Sequence, residues 1–132
     1  MEILEIDKRL LDALKDQAKA SPRLRMNCDM RNSSEDTSQR MLNALLPDTQ
    51  VPIHRHEATN ESVICLCGRL EEIFYEECAS CEGGFKEIAR YMLCPSEGKY
   101  GIQVPAGMWH SIHVIEPSAI FEAKDGMYMP NK

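Results

Sequence analysis

The sequence predicts an all-β chain, a small barrel of short antiparallel strands preceded by one helix. Three observations predict it. From Arg23 onward the apolar residues recur with a period near two instead of 3.6. Turn-forming residues punctuate these runs at short intervals: Asn32-Ser33-Ser34, Pro47-Asp48, Gly68, Gly83-Gly84, Pro95 to Gly98 and Glu116-Pro117-Ser118. Two histidine-bearing segments far apart in the chain, His54-Arg55-His56 and Trp109-His110, together spell one mononuclear metal site on such a barrel. A length of 132 residues fits one domain with a real core, not two. Residues 1–22 read as a helical segment packing on a barrel that occupies residues 23–132.

Asp7 to Ala20 is expected to be an amphipathic helix. Leu10, Leu11, Leu14 and Ala18 form one stripe, while Lys8, Asp12, Lys15 and Lys19 take the other side. Asp7 can cap the free N–H groups of the first turn, and Ser21-Pro22 ends the helix because the residue before proline disfavours αR. Leu24 to Asn27 and Gln39 to Leu45 read as strands, with a polar loop between them. Leu46-Pro47-Asp48 then turns into a strand carrying His54 and His56. Glu61 to Cys67 and Arg69 to Tyr75 are expected to form a hairpin about Gly68. Phe85 to Leu93, Tyr100 to Val104, His110 to Ile115 and Ala119 to Lys124 complete the strands.

The candidate site has the spacing H-x-H-x4-E-x6-G over His54, His56, Glu61 and Gly68. Side chains two apart on an extended strand point to the same face, so His54 and His56 aim together. Four further residues allow a turn that brings Glu61 back on the neighbouring strand. Pro105-Ala106-Gly107 is a rigid turn that launches a strand with His110 near its start. Three imidazoles and a carboxylate suit one divalent transition metal ion: zinc, iron, nickel or manganese. Alternation sends His113 to the opposite face from His110, which excludes it as a ligand. Trp109 falls on that opposite face as well.

These segments resemble the two signature motifs of the cupin superfamily, G-x5-H-x-H-x3,4-E-x6-G and G-x5-P-x-G-x2-H-x3-N. Asp48 stands where the first motif opens with glycine, Lys99 where the second does, and Val114 replaces the closing asparagine. The four ligand positions are all filled. The resemblance implies a double-stranded β-helix, or jelly-roll barrel, of the kind that commonly pairs into homodimers. Ser21 to Asn27, Gln39 to Leu45, His54-Arg55-His56 and Phe121 to Tyr128 are similar to the WbuC family, cupin-fold metalloproteins of which some are encoded among bacterial surface-polysaccharide genes. Arg25, Asn27, Gln39 and Arg40 are polar residues inside strand-like segments at positions that match this family. They read either as structural ion-pair members or as binding residues for an anionic or sugar-like small molecule. Tyr128, in the family-like tail, either packs or closes over the cavity.

The six cysteines read as reduced thiols, because the acidic start Met1 to Asp7 lacks the features of a secretory signal. Cys65 and Cys67 are expected to fill the barrel as small hydrophobes. Cys78-Ala79-Ser80-Cys81 lacks a second C-x2-C for a zinc ribbon; it is either accidental spacing or a labile redox or secondary metal site. The same start implies a cytoplasmic location. A formal charge of −6, with no run of Lys and Arg, argues against nucleic acid as a partner. The longest apolar runs fall far short of the roughly 20 residues that cross a bilayer. The expected function is a metal-dependent enzyme, an isomerase, epimerase or oxygenase, acting on a sugar or sugar-derived acid. The alternatives are a non-catalytic metallated module that binds or senses a small ligand, and a metal-free sugar epimerase barrel.

Overall fold

The computed structural model describes residues 2–129. One helix, α1 (Lys8–Ala20), precedes six strands: β1 (Arg25–Asp29), β2 (Ser38–Leu45), β3 (Glu61–Glu77), β4 (Phe85–Leu93), β5 (Gly101–Val104) and β6 (Trp109–Asp125). The Asp7 carboxylate accepts the Leu10 N–H at 2.9 Å, which is the expected N-cap. Leu11, Leu14 and Ala18 are buried and pack with Leu42, Ala44 and Ala119, so the helix covers the outer face of β2 and β6.

Two strands organise the barrel. β3 and β6 run antiparallel along nearly their whole lengths, and their pairing shifts register three times between Cys65 and Leu70. The first half of β3 pairs with β5 and with the end of β6, which in turn pairs with β2 and then β1. The second half of β3 pairs with β4 and with the start of β6. Each long strand therefore contributes to both sheets of the jelly roll. Leu45, Val63, Cys65, Leu70, Phe74, Leu93, Val104, Val114 and Ile120 fill the space between them.

Two expected turns are corrected. The hairpin about Gly68 is absent: Glu61 to Glu77 is one bulged strand, and its halves pair with different partners. Glu116-Pro117-Ser118 likewise lies inside a single strand, Trp109 to Asp125. Gly68 takes a φ of +95°, and a Cβ there would collide with the Pro117 carbonyl and Ser118. A close crossing of two bulged strands, and not a chain reversal, is what requires glycine.

The departures from the glycine pattern leave the loops intact. Asp48 itself adopts a φ of +74°, and Gly98, adjacent to Lys99, takes +76°. Cys78 and Cys81 are joined by a disulfide, which corrects the expectation of six free thiols; Cys28, Cys65, Cys67 and Cys94 are free. No helix among the described residues is long and apolar enough to cross a membrane.

Candidate metal centre

His54 and His110 are fixed to each other through their backbones. His54 N–H donates to the His110 carbonyl at 3.0 Å, and His110 N–H donates back to the His54 carbonyl at 2.8 Å. This is an isolated antiparallel bridge and not the full strand expected for the His54 segment. The glycine of the Pro105–Gly107 turn, at φ +81°, donates its N–H to the His56 carbonyl at 2.8 Å. The Asn60 side chain accepts the Ala106 N–H at 2.8 Å. The rigid turn thus ties the second motif onto the loop of the first.

The rings converge. The metal-binding atoms of His54, His56 and His110 all lie within 4.8 Å of one another. His54 Nδ1 is 2.9 Å from the Pro52 carbonyl, and His110 Nδ1 is 2.8 Å from the Met108 carbonyl. A carbonyl only accepts, so both Nδ1 atoms carry the proton and both Nε2 lone pairs are released for an ion. The Nε2 atoms of His56 and His110 are buried and make no hydrogen bond among the described residues. Burial, and next the neighbouring His110, push the His54 pKa down to about 4, which keeps its ring neutral near pH 7.

Glu61 lies against the histidine cluster. Its Oε2 is 3.5 Å from His56 Nε2 and its Oε1 is 3.6 Å from His110 Nε2. Those separations resemble the roughly 3.3 Å edge between two ligands held about 2 Å from one tetrahedral ion. Burial raises the Glu61 pKa, and the Lys124 ammonium opposes that rise. Three converging imidazoles, two of them with orphaned buried nitrogens, form a group that could hold a divalent cation, and the Glu61 carboxylate lies beside two of them.

The other expected site residues divide. Gln39, Met41, Asn43 and Leu45 share one face of β2, and Leu45 belongs to the barrel core. Across the ladder Arg25 pairs with Leu45 and Asn27 with Asn43, so these residues share the face of Leu45, where Asn27 is exposed. Arg25 donates to the Gln50 carbonyl at 3.3 Å. Asn27 donates to the Asn43 side chain at 3.2 Å. Gln39 is buried and donates to the Gly126 carbonyl, leaving its Oε1 unpartnered. Arg40 has the opposite parity, and its guanidinium binds the Ser38 and Met30 carbonyls and the Asp36 carboxylate. Tyr128 is half exposed, with the Arg31 guanidinium 5.8 Å from its ring centre. The structure does not bring Arg40 or Tyr128 to the metal ligands. His113 points outward to Glu71 at 3.0 Å, as alternation requires, and Trp109 packs on Phe85 and under Arg55.

Three ionisable residues near the site are not singled out by the motifs. Lys124 is 3.3 Å from Glu61 Oε2. Glu122 accepts from the Asn43 amide at 3.1 Å. Glu72 is fully buried with both carboxyl oxygens unpartnered. Parity offered a signal for Glu72, because Leu70 and Phe74 flank it two residues away, but Ile73 blurs the alternation.

A family model described as a domain of unknown function, DUF6016, matches residues 6–85, and the chain belongs to that family. No curated protein matches it in sequence. Among solved structures it is similar to CapF, a capsular polysaccharide assembling protein from Staphylococcus aureus. That likeness has a TM-score of 0.62 at 18% identity, over 83% of this chain and 30% of CapF. Oxalate oxidase in complex with glycolate gives 0.63 at 12% identity, over 86% of this chain and 56% of the oxidase. The cupin domain of Cnp3 from Schizosaccharomyces pombe gives 0.53 at 12%, over 77% and 64%. The fold is therefore that of a cupin, and the chain spans well under two thirds of the first two relatives.

Proposed function

We propose that the chain is a metal-dependent cupin enzyme whose substrate is a small polar metabolite, a sugar or a sugar-derived acid. The observation that carries this reading is the convergence of three imidazoles, with Glu61 beside two of them and with the buried Nε2 atoms of His56 and His110 unpartnered among the described residues. A divalent ion there supplies a Lewis acid that polarises a carbonyl or hydroxyl oxygen. The chain itself supplies imidazoles oriented by the Pro52 and Met108 carbonyls, and a sheet face that carries Arg25, Gln39 and Asn43, with Asn27 exposed at its edge. Such a wall of amides and one guanidinium suits a ligand rich in oxygen. The similarity to the WbuC family and to the capsular polysaccharide assembling protein supports a role in surface-polysaccharide biosynthesis.

The test has two stages. Elemental analysis of untagged protein should find close to one zinc, iron, nickel or manganese per chain. Steady-state assays on aldoses, ketoses and nucleotide sugars should then give metal-dependent turnover. Protein that remains metal-free after exposure to all four ions overturns the reading. Metal-loaded protein that binds these compounds without turning them over is a binding module instead.

A further inference from the structure

Glu72 is in the wrong place for a structural residue. Its neighbours on the same face of β3 are Leu70 and Phe74, both buried in the barrel core, and its partner across the ladder is Ile112. A leucine would fill this position at no electrostatic cost. A buried carboxyl with neither oxygen hydrogen-bonded is instead a destabilising choice. Pairing locates it further. Phe74 is opposite His110, so Glu72 lies one inward-facing step along β3 from the level of that ligand. The Phe74 and His110 rings are 6.3 Å apart between centres. The charged groups that act on it are Glu61 at the start of β3 and Glu122 on β6. Burial first, then the charges of Glu61 and Glu122, raise the Glu72 pKa well above the ordinary carboxylate range. A carboxyl in that state is neutral, with one hydroxyl to donate and one carbonyl oxygen to accept.

We propose that Glu72 contacts the ligand from the floor of the metal chamber, hydrogen-bonding one oxygen of a small α-hydroxy acid whose neighbouring oxygen meets the ion held by His54, His56 and His110. The inference rests on the metal reading above and adds to it the ligand class and the residue that reads it. Gln39 Oε1, also buried and unpartnered, offers a second acceptor to a hydroxyl of the same molecule. A ligand with adjacent oxygens satisfies both the ion and the floor of the barrel, which a single-oxygen ligand does not.

Calorimetric titration of glycolate, the smallest α-hydroxy acid, into zinc-loaded full-length protein tests this, with E72Q and E72L beside the wild type. Zinc stoichiometry should stay the same in all three. The melting temperature of E72L should rise, because an apolar side chain replaces an unpartnered acid. Glycolate affinity should fall at least tenfold in E72L and stay within about threefold in E72Q, whose amide still donates and accepts. Equal affinity in wild type and E72L overturns the proposal, and so does zinc-loaded wild type that ignores glycolate. If E72L fails to fold, a loss greater than tenfold in E72Q also counts against it. Wild type that takes no zinc defeats the metal reading and this proposal together, whereas zinc binding with no role for Glu72 defeats this proposal alone.

Discussion

Lys124 Nζ sits 3.3 Å from the Glu61 oxygen that also faces His56; Glu61 is buried and the Lys124 side chain is 11% exposed. One carboxylate is thus shared between a fixed ammonium and the position of an ion. Lys124 balances Glu61 when the chamber holds no metal and repels a cation that enters it. Lys124→Met should therefore tighten zinc binding by about an order of magnitude, since a nearby like charge is removed. The metal-free variant should lose about 3 kcal/mol of stability, because Glu61 is left buried without its partner. Competition with a chelator and chemical denaturation measure the two effects. Weaker zinc binding in the variant would show that Lys124 assists the ion.

The ligand assignment predicts a hierarchy of metal loss. His110→Ala and His56→Ala should each reduce zinc stoichiometry strongly, while the β-rich circular dichroism spectrum persists. The barrel is held by its aliphatic core, including Leu70, Val63 and Ile120, so the ion is not its main support. His113→Ala should bind zinc like the wild type. Unfolding of the histidine variants at room temperature would show that the metal does hold the fold.

Cys78→Ser with Cys81→Ser should leave metal content unchanged. The disulfide closes a loop of sequence separation three, and constraining so short a segment is worth about 2 kcal/mol at most. Stoichiometry and thermal denaturation of the double variant check both parts. A drop in metal content would place the pair in the site.

Glu122 gives a pH prediction. Burial, and next the charge of Glu61, push its pKa up to about 7 from an ordinary 4.5. A raised carboxyl pKa means that the folded state holds the proton more tightly. Its stabilising share is complete below pH 4.5 and disappears as pH rises through 7. His54 acts in the opposite sense, since its lowered pKa makes stability rise with pH between about 4 and 6.5. Comparing metal-free wild type with Glu122→Gln isolates the Glu122 share. The variant should gain stability relative to wild type between pH 5 and pH 7. A constant difference across that range would refute the assignment.

Gly68→Ala should be the costliest small change in the barrel. A methyl group meets the Pro117 carbonyl and Ser118 at a φ of +95°, and the two effects together cost on the order of 2–4 kcal/mol. Urea denaturation measures it, and a loss below 1 kcal/mol would mean that the bulges relax.

The convergence of the three histidines is legible because their spacing is local: His54 with His56 by alternation, and His110 by its distance from Pro105. The helix was legible for the same reason, with Asp7 and Pro22 marking its ends. Gly68 and Pro117 misled because turn residues look alike whether a chain reverses or a strand bends over another. The placement of Arg25, Asn27 and Gln39 on the face of Leu45 follows from strand pairing, and that register is a long-range fact which one sequence does not state. Glu122 and Lys124 lie within the family-like tail, yet their inward direction depends on the bulges of β3 and β6. Arg40 shows the converse, since one step of parity carries it to the loop instead of the cavity.

Because β3 and β6 each run through both sheets, the walls of the chamber are continuous pieces of backbone. Glu61 and Glu72 belong to one strand, His110, Glu122 and Lys124 to the other. Such a chamber has no hinge between its halves, and widening it would break the ladder that forms it. Exchanging side chains along these two ribbons therefore changes the lining of the chamber without changing its frame.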